Sequence, residues 1–227
     1  YKAIFMKSNF FLRLIIVSLC LFGAAPLQAQ PITEPQARAW VQEKGESLLN
    51  AFSETDLTAR YAKLDEMFVN YIDLDYISKF VLGKYWRQLD EEGQQNYQQL
   101  FRRYALSVYK SFPLEFDTSQ IDFSINKVRI EREFANVTAA IRFSMGNNPN
   151  EKQSILVSFR LNNRDGNLRI VDLKLGESSL ILSYRSRFYE MIANDDEDLG
   201  WFIEDLQMIT ESTEKQNQLK LEQQEYL

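Results

Sequence analysis

The apolar residues of this chain change their spacing near Ile121, and that switch limits the architectures open to it. Upstream they recur every three or four positions: Leu57, Tyr61, Leu64, Phe68 and Ile72, then Leu74, Ile77, Val81 and Tyr85, then Tyr97, Leu100, Phe101, Tyr104, Val108 and Phe112. Stripes with that period are the buried faces of amphipathic helices. Downstream the period is two: Ile121, Phe123 and Ile125, then Val137, Ala139, Ile141, Phe143 and Met145, then Ile155, Val157, Phe159 and Leu161. Half-buried strands alternate in this way. The helical period returns with Leu180, Ile181, Tyr184, Phe188, Met191 and Ile192, and again with Leu199, Phe202, Ile203, Leu206 and Ile209. Helices, then strands, then helices make an α+β fold, with helices over one side of a curved antiparallel sheet.

Local signals punctuate the elements. Thr33 is placed to cap a first helix with Pro35 in its opening turn. The stretch Asp73–Phe112 reads as two helices: Gly83 ends or kinks the first, Asp90, Glu91 and Glu92 suit the start of the second, and Pro113 stops it. Val128, Ile130 and Arg132 continue the first strand past a bend near Asn126. Gly146–Asn150 and Asn163–Gly166 are turn chemistry and imply hairpins. Leu168 and Ile170 point opposite to Val171, Leu173 and Leu175, so the strand Leu168–Leu175 is expected in the interior of the sheet. From Glu211 the apolar period fades into a polar helix or tail.

The first residues are not counted as fold. Lys2, Lys7 and Arg13 precede an apolar run, Leu14–Ala25, too short to span a bilayer, and Ala29 offers a small residue for cleavage; residues 1–29 are read as a secretory signal peptide. That leaves 30–210 as a single α+β domain and 211–227 as the polar terminus. The leader takes three of 26 basic residues and none of 32 acidic ones, so the remainder stands at −9. Nucleic acid is therefore an unsuitable partner. The one cysteine, Cys20, lies in the leader and the chain has no histidine. Disulfides, imidazole bases and His- or Cys-bearing metal sites are excluded. Carboxylate chemistry survives, but Asp73 and Asp75 face apart on a helix and no catalytic or metal-ligating set is identified.

Charge is uneven. Residues 195–227 carry ten acidic and two basic side chains, whereas Lys79, Lys84, Arg87, Arg102, Arg103 and Lys110 make the central helices basic. A solvated face with surface ion pairs is one reading; a surface for anionic headgroups or an acidic partner is the other, with Lys84, Arg87, Arg102 and Arg103 as candidate partner-binding residues.

The segment YIDLDYISKFVLGKYWRQLDEEGQQNYQQLFRRYALSVYKSF, Tyr71–Phe112, resembles the signature of the MlaC family, also called toluene-tolerance or ABC-transporter auxiliary proteins. LRIVDLKLGESSLILSYRSRF, Leu168–Phe188, and DLGWFIEDL, Asp198–Leu206, are similar to two further marks in the same order. Ser178 and the acidic run Asp195–Asp198 depart from the family pattern. The resemblance implies an NTF2-like or cystatin-like architecture with an apolar cavity between sheet and helices. It also implies a non-enzymatic periplasmic carrier, expected as a monomer, that maintains outer-membrane lipid asymmetry. Its cargo would be phospholipid rather than a cofactor, and its partners an MlaA-like outer-membrane lipoprotein complex and an MlaFEDB-like inner-membrane ABC transporter.

On that reading the lining comes from Phe80, Val81, Tyr85 and Trp86 on the first central helix and Tyr97, Leu100, Phe101, Tyr104 and Val108 on the second. The sheet adds Ile141, Phe143, Val157, Phe159 and Ile170, and Tyr184 and Phe188 close the far side. Periodicity alone does not separate such a lining from a solid core. A solid-cored periplasmic adaptor of the same transport system is the alternative, and a carboxylate hydrolase a third.

Overall fold

A computed structural model describes residues 31–111, 121–144, 152–164 and 166–224. The expected leader, Phe112 and Pro113, Met145 with the turn Gly146–Asn150, and Asp165 lie outside the described residues. The helices begin where their caps allow. α1 (Glu34–Phe52) opens with a reciprocal cap, Thr33 Oγ1 accepting from Gln36 N while Gln36 Oε1 accepts from Thr33 N. α2 (Leu57–Tyr71) is capped by Asp56 and α3 (Leu74–Leu82) by Asp73, whose carboxylate accepts from Tyr76 N at 3.0 Å. Gly83, at φ 56° and ψ −116°, ends α3 in a region that side-chain-bearing residues avoid, and the chain continues as a 3-10 turn over Gly83–Gln88. Asp90 then accepts from Gly93 N at 2.8 Å as α4 (Glu91–Ser111) begins.

β1 (Asp122–Glu131), β2 (Phe134–Ser144), β3 (Lys152–Arg164), β4 (Asn167–Leu175) and the two-residue β5 (Ser178–Ser179) form an antiparallel sheet in sequence order. β1 has an irregularity between Ile125 and Lys127, at the expected bend. The first hairpin turns at Arg132 and Glu133, with Arg132 at φ 56°. Sequence reading extended β1 to Arg132, because neither residue there is a usual turn former.

β4 differs from expectation in two ways. Arg160 pairs with Asp172 and Leu161 with Ile170, so Val171 is the extra residue of a bulge. The bulge restores the phase, and Leu168, Ile170 and Leu173 all pack into one cluster rather than on opposite faces. On the side away from β3, β4 is followed only by the two-residue β5, with α2, α3 and α5 alongside. Its apolar character reflects helices at the sheet margin, not a place in the middle of it.

α5 (Leu180–Asn194) starts at Ser179, and α6 (Leu199–Gln224) is one helix running past Glu211 along α4. Its polar half is docked: Asn217 Nδ2 donates to Ser107 O at 2.8 Å, Lys220 Nζ to Ser111 O at 3.2 Å, and Arg103 grips Glu214 with two hydrogen bonds of 3.1 and 2.6 Å.

Apolar side chains separate into two clusters. One is helical, built by α2 to α6 around Tyr97, Tyr104, Phe188 and Phe202, all at most 1% exposed. The other lies under the sheet, where Ala37 and Val41 of α1 meet Ala135, Val137, Val157, Phe159 and Leu161.

Candidate functional site

The aromatic helices converge as their spacing predicts. Ring contacts run from Trp86 to Tyr97 (6.2 Å between centroids), Tyr97 to Phe101 (6.0 Å), Phe101 to Phe188 (6.1 Å), and Phe188 to Tyr104 and Phe202 (5.7 and 5.3 Å). Edge-on and tilted contacts of this kind add to plain area burial. Tyr97 keeps its hydroxyl satisfied by donating to Ser78 O at 3.1 Å, and burial pushes its pKa well above the ordinary tyrosine value. Burial likewise raises Tyr104 and Tyr109, and lifts Tyr184 to about 12. With pKa values raised above the ordinary tyrosine value, these hydroxyls keep their protons at neutral pH.

Of the expected lining residues, Phe80, Val81, Tyr85, Trp86, Tyr97, Leu100, Phe101, Tyr104, Val108, Tyr184 and Phe188 come together in the helical cluster. Ile141, Val157, Phe159 and Ile170 lie in the other, under α1. Phe143 is half-buried and belongs to neither. The helices that carry the aromatic stripe are not the helix that covers the sheet, so the two groups do not face each other across one space. They touch at a seam, where Ile72 bridges to Ile170.

That seam is polar, and sequence reading did not find it. Asp73 is 1% exposed. Besides capping α3 it accepts from Asn162 Nδ2 at 2.9 Å and Arg164 Nη1 at 3.3 Å, while its own N–H donates to Ile170 O at 2.9 Å. Asp172 repeats the device at α5, accepting from Ser179 Oγ at 2.8 Å and Ile181 N at 3.3 Å. Sequence reading placed Asp73 only at the start of the helical stretch; its partners, 89 and 91 residues away, were not visible. Arg185 is not a partner of Asp172: it stands over the Phe80 ring at 5.1 Å and donates to Tyr189 Oη at 3.0 Å.

The four basic candidates are spread out. Arg102 pairs with Asp75 at 3.4 Å, Arg103 turns the other way to Glu214, and Lys84 pairs with Glu197 at 3.6 Å. Arg87 is exposed and has no ion pair among the described residues. Exposed pairs of this kind contribute about 0–1 kcal/mol each, so they are easily exchanged for a partner's charges. Two hollows, of about 520 and about 280 Å³, open on the face of the sheet turned away from α1, and of the lining candidates only Phe159 borders either. Among the described residues no helix is long and apolar enough to cross a membrane, and no carboxylate cluster is placed to hold a metal.

The family model described as MlaC protein matches residues 44–208, from α1 to the middle of α6. The chain belongs to the MlaC family. No curated protein matches it. Among solved structures, this MlaC-family chain is similar to the phospholipid-binding protein from Ralstonia solanacearum in complex with a phospholipid, at 16% identity and a TM-score of 0.61, over 78% of this chain and 98% of that one. A cyanobacterial iota-carbonic anhydrase complexed with bicarbonate aligns at 14% identity and a TM-score of 0.43, over 66% of this chain and 95% of that one. The first likeness establishes the MlaC-type fold; the second is too distant to bear on function.

Proposed function

We propose that this protein is a periplasmic phospholipid carrier that moves lipid between an outer-membrane lipoprotein complex and an inner-membrane ABC transporter, and so maintains outer-membrane lipid asymmetry. The observation that carries the reading is the MlaC family match, joined to a fold shared across 98% of a protein described with phospholipid bound. Physical chemistry makes a carrier necessary. At about 0.8 kcal/mol per methylene, leaving the two chains of a phospholipid in water costs on the order of 20 kcal/mol. A protein whose interior matches hydrocarbon lets exchange run near balance, with direction set by its partners.

Acyl chains would enter the helical cluster by parting the rings of α3, α4 and α5. Phe80, Trp86, Val108 and Tyr184 are only partly buried there and form its rim. The seam at Asp73 and Asp172 would stay shut and hold the helices to the sheet while the cluster opens. No catalytic step is assigned, and the cargo is the ligand.

Native mass spectrometry of protein expressed into a bacterial periplasm should show phospholipid of unit stoichiometry leaving with the chain. Protein stripped of lipid that takes none up from vesicles would overturn the reading. The second reading is favoured by one observation: Tyr97, Tyr104, Phe188 and Phe202 already fill the helical cluster. It makes the protein a solid-cored adaptor that bridges the two complexes through Lys84, Arg87, Arg102 and Arg103. It predicts no lipid uptake, and loss of binding to the transporter when these four are neutralised.

A further inference from the structure

The outer face of the sheet, turned away from α1, carries a constellation that lipid carriage does not use. Lys127 pairs with Thr138, Thr138 with Ser158 and Ser158 with Lys174, so one row across β1 to β4 reads lysine, hydroxyl, hydroxyl, lysine on a single face. With strands about 4.8 Å apart, the lysine backbones stand roughly 14 Å from each other, and their flexible four-carbon stems can both lean over the centre. There Thr138 Oγ1 and Ser158 Oγ are 3.0 Å apart; whichever accepts keeps its own hydrogen for a ligand.

The next row sets Arg129, Asn136 and Arg160 beside the first. Together these side chains line the hollow of about 280 Å³. Its carboxylate, Glu131, is already engaged by Arg129 at 3.3 Å and Asn136 at 3.1 Å. Arg160 lies flat on the Phe134 ring, 4.1 Å from the centroid, and its buried Nε has no hydrogen-bond partner. Four cations against one carboxylate leave the lining of this hollow positive on a chain whose net charge is −6; Asp172, opposite Arg160 on β4, is outside the lining and taken up by Ser179 Oγ and Ile181 N. Convergent donors that outnumber acceptors, with an unused buried N–H among them, suit a tetrahedral oxyanion, which accepts on several edges at once.

We infer that this hollow binds a phosphate group, held by Lys127 and Lys174 over the Thr138 and Ser158 hydroxyls. The group could belong to a free phosphate ion or to the headgroup of a glycerophospholipid in a membrane surface, separate from the carried lipid; the chemistry recognised is the same. The site is independent of the carrier reading, since neither lysine belongs to the apolar clusters.

The test is a titration of the isotope-labelled protein, followed by amide chemical shifts, with inorganic phosphate in one arm and glycerophosphoglycerol in the other. Saturable shifts confined to the strands around 127, 138, 158 and 174 are expected. Binding should weaken at least tenfold in the double variant Lys127→Gln/Lys174→Gln, less in Ser158→Ala, and also on raising salt. Tighter binding of the diester identifies a lipid headgroup as the source, and tighter binding of the inorganic ion identifies free phosphate. Shifts that do not saturate, that spread over all surface lysines, or that persist unchanged in the double variant would overturn the site. Lipid co-purifying with the double variant at the wild-type level is expected, and keeps failure here separate from failure of the carrier reading.

Discussion

Gly83 sits in the middle of the family signature, and replacing it with alanine should destabilise the protein through two separable causes. Its φ of 56° with ψ of −116° is open to glycine and costs other residues about 1–3 kcal/mol. A Cβ there would also run into Tyr189 Oη and stand 2.7 Å from Arg185 Nη2. Both are far ends of flexible side chains, so they move aside at little direct cost. Moving Tyr189, however, breaks the bond its Oη accepts from Lys84 N at 3.1 Å, worth about 1 kcal/mol. The expected total is about 2–4 kcal/mol, a large share of an ordinary domain's stability of roughly 5–15 kcal/mol. Urea unfolding of Gly83→Ala beside Gly166→Ala separates the causes. Gly166 has φ 83° and an added methyl would meet nothing within 4 Å, so its substitution should cost only the backbone share, about 1–2 kcal/mol. In a Tyr189→Phe background the cost of Gly83→Ala should fall by about 1 kcal/mol, because the bond is already gone. A loss under about 1 kcal/mol for Gly83→Ala, or no difference between the two backgrounds, would refute this account.

Three further outcomes follow from the buried polar groups. Asp73→Ala should cost about 3 kcal/mol in chemical denaturation, since cap and cross-seam bonds vanish together, whereas Asp73→Asn keeps an oxygen for Tyr76 N and should lose about 1 kcal/mol less. Tyr184, raised to about 12 by burial and the nearby Tyr104, has a folded pKa above its unfolded value of 10. Its contribution is therefore complete below pH 10 and lost as pH climbs toward 12. Alkaline unfolding monitored by tyrosinate absorbance should be cooperative in that window, and Tyr184→Phe should flatten the fall. Asn217→Ala, which strands the buried Ser107 carbonyl, should cost about 1–2 kcal/mol, while Met208→Ala, at a side chain 61% exposed on the same helix, should stay within about 0.5 kcal/mol by thermal melting.

Much of the local structure was legible because it depends on neighbours in sequence. Thr33 and Gln36, and Asp90 and Gly93, are three residues apart, so these two helix starts could be read directly. Gly83 as a stop and the bend at Asn126 are likewise local matters of φ and phase. The β4 bulge was misread for the opposite reason. Val171 leaves the register only because Arg160 and Leu161 of another strand skip it.

The candidate site divides along the same line. Periodicity identified which side of each helix and strand is apolar, and so identified Tyr97, Tyr104 and Phe188 as interior. A stripe does not name what covers it, however. Tertiary structure alone sent α1 rather than α4 to the sheet, divided the expected lining into two clusters, and tied Asp73 to Asn162 and Arg164. It also aligned Lys127, Thr138, Ser158 and Lys174 in one row across four strands. Hydrophobic burial is non-directional, so the pattern of one segment specifies that it must be covered. Which partner covers it is decided by chain connectivity, strand register and the buried hydrogen bonds that only one docking satisfies.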